Sequence, residues 1–265
     1  MTIPPANIIK PIWPAPPQVM AGVSTRIGGY SQAPFDQLNL AQHVSDNSNH
    51  VANNRKHLAE CVNTAEQQWQ WLEQTHSTDI VILDTVQPQP LAADAALTSK
   101  ANIVCAVLTA DCLPILLCDA KGTRVAAIHA GWRGLANGII SNSINAFCNS
   151  SPAIKSQQIY AWLGPAIGPN HFEVGPDVRE AFIHANTAPS ELYEQAFIKK
   201  PHNKYWADIY QLATIALNAC GVHHIYGGGF CTVDASDRFY SYRREAKTGR
   251  MASYIYLDMI QNSAS

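Results

Sequence analysis

Three side chains in the middle of this chain have the types and settings that chemistry needs. They are His76 in Gln74-Thr75-His76-Ser77, Cys112 in Thr109-Ala110-Asp111-Cys112-Leu113-Pro114, and His129 in Ile128-His129-Ala130-Gly131-Trp132-Arg133-Gly134. Each lies at the end of a short apolar run, beside residues that turn a chain. Two imidazoles and one thiolate form a ligand set suited to zinc. Three protein ligands leave a fourth tetrahedral position for water or substrate, the pattern of a catalytic rather than a structural site. Copper accepts the same ligands. A metal-free alternative makes Cys112 a nucleophile and His129 or His76 its base. Taken singly, each residue has a plainer reading. A lone histidine is most often a satisfied polar side chain, and a lone cysteine an inert buried thiol. The separations between the three fit no zinc-finger spacing.

Arginines form the second candidate group. Arg26, Arg55, Arg133, Arg243, Arg244 and Arg250 all fall in motif-like segments. A guanidinium grips phosphate through a planar donor fork that lysine lacks. We take Arg55, Arg133 and Arg243 as candidates for an anionic substrate. Arg133 opens a predicted helix, where backbone N–H groups also favour an anion. Arg243 and Arg244 face opposite sides if 242–244 is extended, so at most one enters a site. For any single arginine, structural ion pairing is an equal reading. Trp132, Phe172 and Tyr242 offer stacking surfaces, and Glu173 a proton shuttle. Asp111 reads first as a turn residue before Pro114, and second as an acceptor orienting a metal ligand. His171-Phe172-Glu173 matches half of a deaminase signature whose Pro-Cys-x-x-Cys partner is absent. His223 and His224 face opposite ways on a strand. His43, His50 and His57 read as surface or helix residues. No Gly-rich dinucleotide or P-loop pattern is present.

These residues need elements to position them. Segments 19–24, 79–83, 103–108, 115–117, 124–128, 159–163, 222–226, 239–242 and 252–257 read as strands. The continuous apolar runs among them suit strands covered on both faces. Pro114 lacks a ladder donor, so the chain should bend or reach an edge there. Segments 49–61, 134–147, 176–184 and 207–220 have helical spacing. The elements interleave without a strict βαβ rhythm, which predicts an α/β fold of mixed α+β character.

At 265 residues, 47% of them hydrophobic, the chain can bury a full core. No linker or charge block divides it. We expect one domain over 1–265, with 1–17 a proline-rich arm. A net charge of -2 without basic runs speaks against nucleic acid or an anionic membrane as partner. No protein partner is evident. Seven cysteines, an odd number without framework spacing, suggest reduced thiols. With no signal-peptide pattern visible, a cytoplasmic location is expected.

The segments "TADCLPILL", "HAGWRGL", "GPAIGP" followed by "FEVG", and "FYSYRRE" followed by "TGRMAS" together closely resemble the YfiH-type laccase-domain family, also called polyphenol-oxidase-like or YfiH-type purine nucleoside phosphorylases. The resemblance runs from "GVSTRIGGYS" to "ASYIYLDM". It implies layered mixed sheets with helices outside. It implies that His76, Cys112 and His129 are metal ligands, with zinc the expected ion. It implies phosphorolysis of adenosine, inosine and methylthioadenosine by phosphate, and deamination of adenosine. Copper oxidation of phenols, the sense of the older name, fits less well. Such oxidases use His-x-His pairs, and the ten histidines here form none. The family fold is also said to resemble a Cys-His deamidase. That keeps open a metal-free hydrolase or amidase acting on a cell-wall precursor.

Overall fold

The computed structural model describes residues 3–150, 153–185 and 187–258. In chain order, β1 (Ile8–Ile9) and β2 (Val19–Ser24) precede α1 (Ser48–Cys61). Then come β3 (Trp69–Gln70), β4 (Leu72–Glu73), β5 (Ile80–Leu83), β6 (Leu91–Ala92), β7 (Ala95–Thr98), β8 (Val104–Thr109), β9 (Leu113–Asp119) and β10 (Val125–Ala130). Next are α2 (Trp132–Ala136), α3 (Ile139–Asn149), β11 (Ile159–Leu163), β12 (Glu173–Val174), α4 (Pro176–Ile183) and α5 (Ser190–Glu194). The chain continues through β13 (Phe197–Lys200), β14 (Lys204–Ala207), α6 (Ile209–Ala219), β15 (His224–Gly227) and β16 (Met251–Leu257).

Two large mixed sheets result. One has the order β1-β2-β16-β8-β3, the other β15-β11-β9-β10-β7-β5. In each, the inner pairs are antiparallel. The parallel pairs are β3–β8 in the first sheet, and β5–β7 and β11–β15 in the second. The pleat explains the apolar runs. In β8, Cys105 and Val107 join Leu116, Cys118, Val125 and Ala127 of the second sheet in one buried cluster. The alternate residues Val104, Ala106 and Leu108 pack with Leu58 and Ala59 of α1. Likewise Leu113, Ile115 and Leu117 of β9 pack with Ile140 and Ile144 of α3 and Leu212 of α6. Both faces of both sheets are covered, so a strand cannot alternate apolar with polar. The layers run helix, sheet, sheet, helices, as expected. Within the proline-rich arm, β1 adds an edge strand to β2.

Three expectations are corrected. Pro114 lies inside an interior strand, opposite His129. No bond to His129 is lost; on the other side the Gly164 carbonyl, denied a Pro114 N–H, accepts from the Tyr210 hydroxyl. The His129 N–H turns away to the Asp94 carbonyl, and the Pro114 carbonyl accepts from Gly164, beyond the end of β11. The helix expected over 134–147 is two helices, α2 and α3. They break at Gly138, whose φ of 97° is left-handed. Residues 239–242 form no strand. Segment 242–244 is a run of turns, so the facing argument for Arg243 and Arg244 fails.

A candidate metal centre at the floor of a cavity

The two strands that carry the site are neighbours. The antiparallel register of β9 and β10 pairs Pro114 with His129, which sets Cys112 just beyond the imidazole. On the other side of β10, β7 begins after Asp94, and its parallel partner β5 brings in the preceding loop with His76. His76, Cys112 and His129 thereby place one donor atom each within 4.8 Å of one another. The His76 Nε2 lies 3.7 Å from the Cys112 Sγ. The imidazoles meet edge to face at 4.8 Å between centroids.

Asp94 organises this floor. Its carboxylate is fully buried. Oδ1 accepts from the His129 ring at 2.7 Å and from the His76 N–H at 3.1 Å. Oδ2 accepts from the N–H groups of Ser77 at 2.6 Å and Thr75 at 3.2 Å. His76 has a φ of 61°, in the left-handed region that few residues other than glycine adopt. The Asp94 carboxylate holds that turn. It also fixes the His129 tautomer, since a ring that donates through Nδ1 presents Nε2 to the site.

The charges agree with this arrangement. Burial raises the Asp94 carboxyl, but hydrogen bonds from His129 and Ser77 outweigh it and hold it at about 2. Burial likewise raises the Cys112 thiol. The charge and hydrogen bond of His129, with His76 behind it, pull it down to about 6. The His129 imidazole is pushed up against its burial by Cys112 and Asp94. The pairing favours the Cys112 thiolate, the form that ligates a metal.

The geometry fits a tetrahedral ion. With typical Zn–S and Zn–N bond lengths, two such ligands stand about 3.6 Å apart, against the 3.7 Å between His76 and Cys112. Gly131 leaves room for the pair. A Cβ on it would stand 2.5 Å from His76 Cδ2 and 3.2 Å from the Cys112 Sγ.

The three candidate ligands lie in the wall of a cavity of about 410 Å³, a size usual for small-molecule sites. Of the expected anion-binding residues, Arg133 and Arg243 line it; Arg55 does not. Arg55 stacks on Trp71 at 4.0 Å and donates to the Leu40 carbonyl. Its place is taken by Arg250, which lines the cavity with His43. His43, read from sequence as a surface or helix residue, is exposed and lines this cavity. Its imidazole is held below its ordinary value by burial and then by Arg250 and Arg55. Arg133 is exposed at the rim, over the Trp132 ring, in a helix of only five residues. Arg244 turns away, donating to the Thr232, Val233 and Phe239 carbonyls. Trp132, Phe172 and Tyr242 all line the cavity; Glu173 does not, and its carboxylate pairs with Lys200. The Asp111 carboxylate accepts from the Thr232 hydroxyl and the Arg243 N–H, so it ties loops together and orients no ligand. The carboxylate that does orient a candidate ligand, the His129 ring, is Asp94. Its only sequence signal was a lone acidic residue ahead of an apolar strand.

A family model described as multi-copper polyphenol oxidoreductase laccase matches residues 20–258. The chain belongs to this family. A purine nucleoside phosphorylase YfiH of Escherichia coli (strain K12) is 47% identical, over 95% of this chain and 99% of that protein. A purine nucleoside phosphorylase of Pseudomonas aeruginosa is 46% identical, over 94% and 98%. A crystal structure of a Neisseria meningitidis protein superposes with a TM-score of 0.88 at 42% identity, covering 95% of this chain and 99% of that one. A YfiH structure from Bacillus licheniformis gives 0.85 at 30%, covering 91% and 93%. This laccase-like family member therefore shares sequence with proteins named as purine nucleoside phosphorylases, and its fold with the Neisseria and Bacillus structures.

Proposed function

We propose that this chain is a zinc-dependent purine nucleoside phosphorylase that also deaminates adenosine. One observation carries the reading. A His-Cys-His ligand set meets three arginines and an aromatic wall in a single cavity. An anionic co-substrate needs the arginines, and a flat base needs the rings. The names of the relatives support the same activity.

In this reading Arg250, Arg243 and Arg133 hold phosphate, and Phe172 and Tyr242 cover the purine. A phosphate oxygen attacks the ribose C1′. The C1′–N9 bond breaks, and the base leaves with that electron pair and takes up a proton. Free base and ribose 1-phosphate result. For deamination, water adds at C6 of adenine and ammonia leaves. His76, Cys112 and His129 hold the metal, and Asp94 keeps the His129 ring aimed. When bound, zinc supplies the positive charge that makes an oxygen nucleophile available at neutral pH. Adenosine, inosine and methylthioadenosine are the proposed nucleosides. The cytoplasm is the proposed location, which seven unpaired thiols support. No helix among the described residues is long and apolar enough to cross a membrane.

The test pairs metal analysis of the purified protein with an adenosine-plus-phosphate assay read for adenine, ribose 1-phosphate and inosine. Cys112→Ala should lose turnover and zinc together while staying folded. Full activity in that variant sinks the mechanism.

One observation favours a second reading. Cys112, His129 and Asp94 form a thiolate, an imidazole and an orienting carboxylate, the order of a cysteine hydrolase. Its substrate would be a peptide bond of a cell-wall precursor. Such an enzyme keeps its activity after exhaustive chelation, whereas the phosphorylase reading requires its loss.

A further inference from the structure

Behind the wall that carries Arg243 lies another group of ligating side chains. His171, Cys231 and Asp234 place one donor atom each within 4.8 Å of one another. We propose that they form a second site for a zinc-class divalent ion, one that clamps two loops and performs no chemistry.

The donors come from distant parts of the chain. His171 belongs to the loop after β11, and Cys231 and Asp234 to the segment between β15 and β16. Imidazole, thiolate and carboxylate are the three donor classes of zinc. The sulfur has the surroundings of a ligand. The Gly168 N–H points at the Cys231 Sγ from 3.4 Å, and such a donor favours the thiolate. Gly168 is needed for the approach, because a Cβ there would stand 3.0 Å from both Cβ and Sγ of Cys231. His171 Nε2 and Asp234 Oδ1 are 2.6 Å apart and share a proton. Two ligands of one tetrahedral ion stand about 3.3 Å apart. Ion entry therefore replaces this hydrogen bond and opens the pair by less than an ångström. The room exists, since the Asp234 side chain is 65% exposed and that of His171 37%.

The same two loops build the cavity. The Thr232 hydroxyl and the Arg243 N–H both donate to Asp111, beside the ligand Cys112. The Thr232 N–H reaches the Ala166 carbonyl, and the Arg243 guanidinium the His171 carbonyl at 2.8 Å. An ion joining His171 to Cys231 and Asp234 therefore fixes the wall that presents Phe172 and Arg243. The inference stands whether or not the first site performs phosphorolysis.

The test is equilibrium dialysis of the full chain against Zn(II), with zinc measured by elemental analysis. The wild type should take up two ions per chain. Cys112→Ser, Cys231→Ser and Asp234→Asn should each take up one. Asp234→Asn alters an exposed group, so it remains informative if Cys231→Ser does not fold. With Co(II) as probe, Cys112→Ser should retain a thiolate-to-cobalt charge-transfer band that Cys112→Ser/Cys231→Ser lacks. A wild type saturating at one ion or none, or a Cys112→Ser protein without that band, overturns the proposal.

Discussion

Replacing Asp94 by asparagine changes one atom and should cost more than any other single substitution at the site. The carboxylate is fully buried and takes four N–H donors, two on each oxygen. Asparagine offers one acceptor oxygen and turns an N–H₂ group toward the other two donors. Two donors in this half-buried turn then lose their partner. Each such loss costs about 1–3 kcal/mol, so roughly 2–6 kcal/mol in all, which brackets the roughly 3–5 kcal/mol for breaking a buried charged pair. The His129 ring also loses its orienting charge, and the left-handed His76 turn loses its anchor. Removing a group that orients a metal ligand typically costs about 10–100-fold in affinity. Two assays read this. Urea unfolding of the metal-free protein gives the stability loss, and competition with a chromophoric chelator gives the zinc affinity. The stability difference has a defined pH dependence. The Asp94 carboxyl is lowered from 3.8 to about 2, so its ionised contribution is intact above pH about 4 and is lost as pH falls through about 2. The two proteins should differ most near neutrality and converge in strong acid. A variant within about 1 kcal/mol of wild type, with zinc affinity unchanged, would falsify the role given to Asp94, because no arrangement of asparagine satisfies four donors.

Gly131→Ala should lower zinc affinity at least about tenfold with little change in helix content, because the added Cβ meets the His76 ring at 2.5 Å; unaltered affinity by chelator competition refutes the packing argument. Arg250→Gln should raise the KM for phosphate at least about tenfold, the loss of a charge-assisted hydrogen bond of some 1.5–3 kcal/mol. Steady-state kinetics should show the KM for nucleoside far less affected, and equal changes in both would deny Arg250 an anion role. In the metal-free protein, alkylation of Cys112 should rise with pH and reach half its maximal rate near pH 6, because only the thiolate reacts and its pKa is about 6. Zinc should protect it, and a midpoint near the ordinary thiol value of 9 would remove the thiolate–imidazole pairing. Arg55→Met, outside the cavity lining, should leave the phosphate KM within about a factor of three while lowering stability through the lost Trp71 stack; a tenfold rise in KM would return Arg55 to the site.

The legible parts of the sequence share a property: their meaning is local. Residue type and neighbouring turns marked His76, Cys112 and His129, and long ordered motifs carried the family. Apolar runs marked β8 to β11, because a strand covered on both faces must be apolar at every position. Helical spacing over 207–220, with Ile209, Leu212 and Ala216 on one side, marked α6, which the structure shows capped by Asp208. Where boundaries failed, a local feature had two readings. A glycine after Asn137 was compatible with a continuing helix, yet it breaks α2 from α3 by adopting a positive φ.

Everything decided by registry between strands was hidden. Asp94 matters because β7 and β5 flank the loop that carries His76 and because β10 delivers His129 to its carboxylate. No spacing rule links those residues. The exchange of Arg55 for Arg250 has the same cause. Both sit in motifs, both are cationic, and only packing sends one guanidinium onto Trp71 and the other to the cavity wall. Residue types determined which atoms were available as ligands and donors. The tertiary structure decided which of them meet, since side chains tens of residues apart become neighbours only through hydrogen-bonded register and the close packing of two covered sheets.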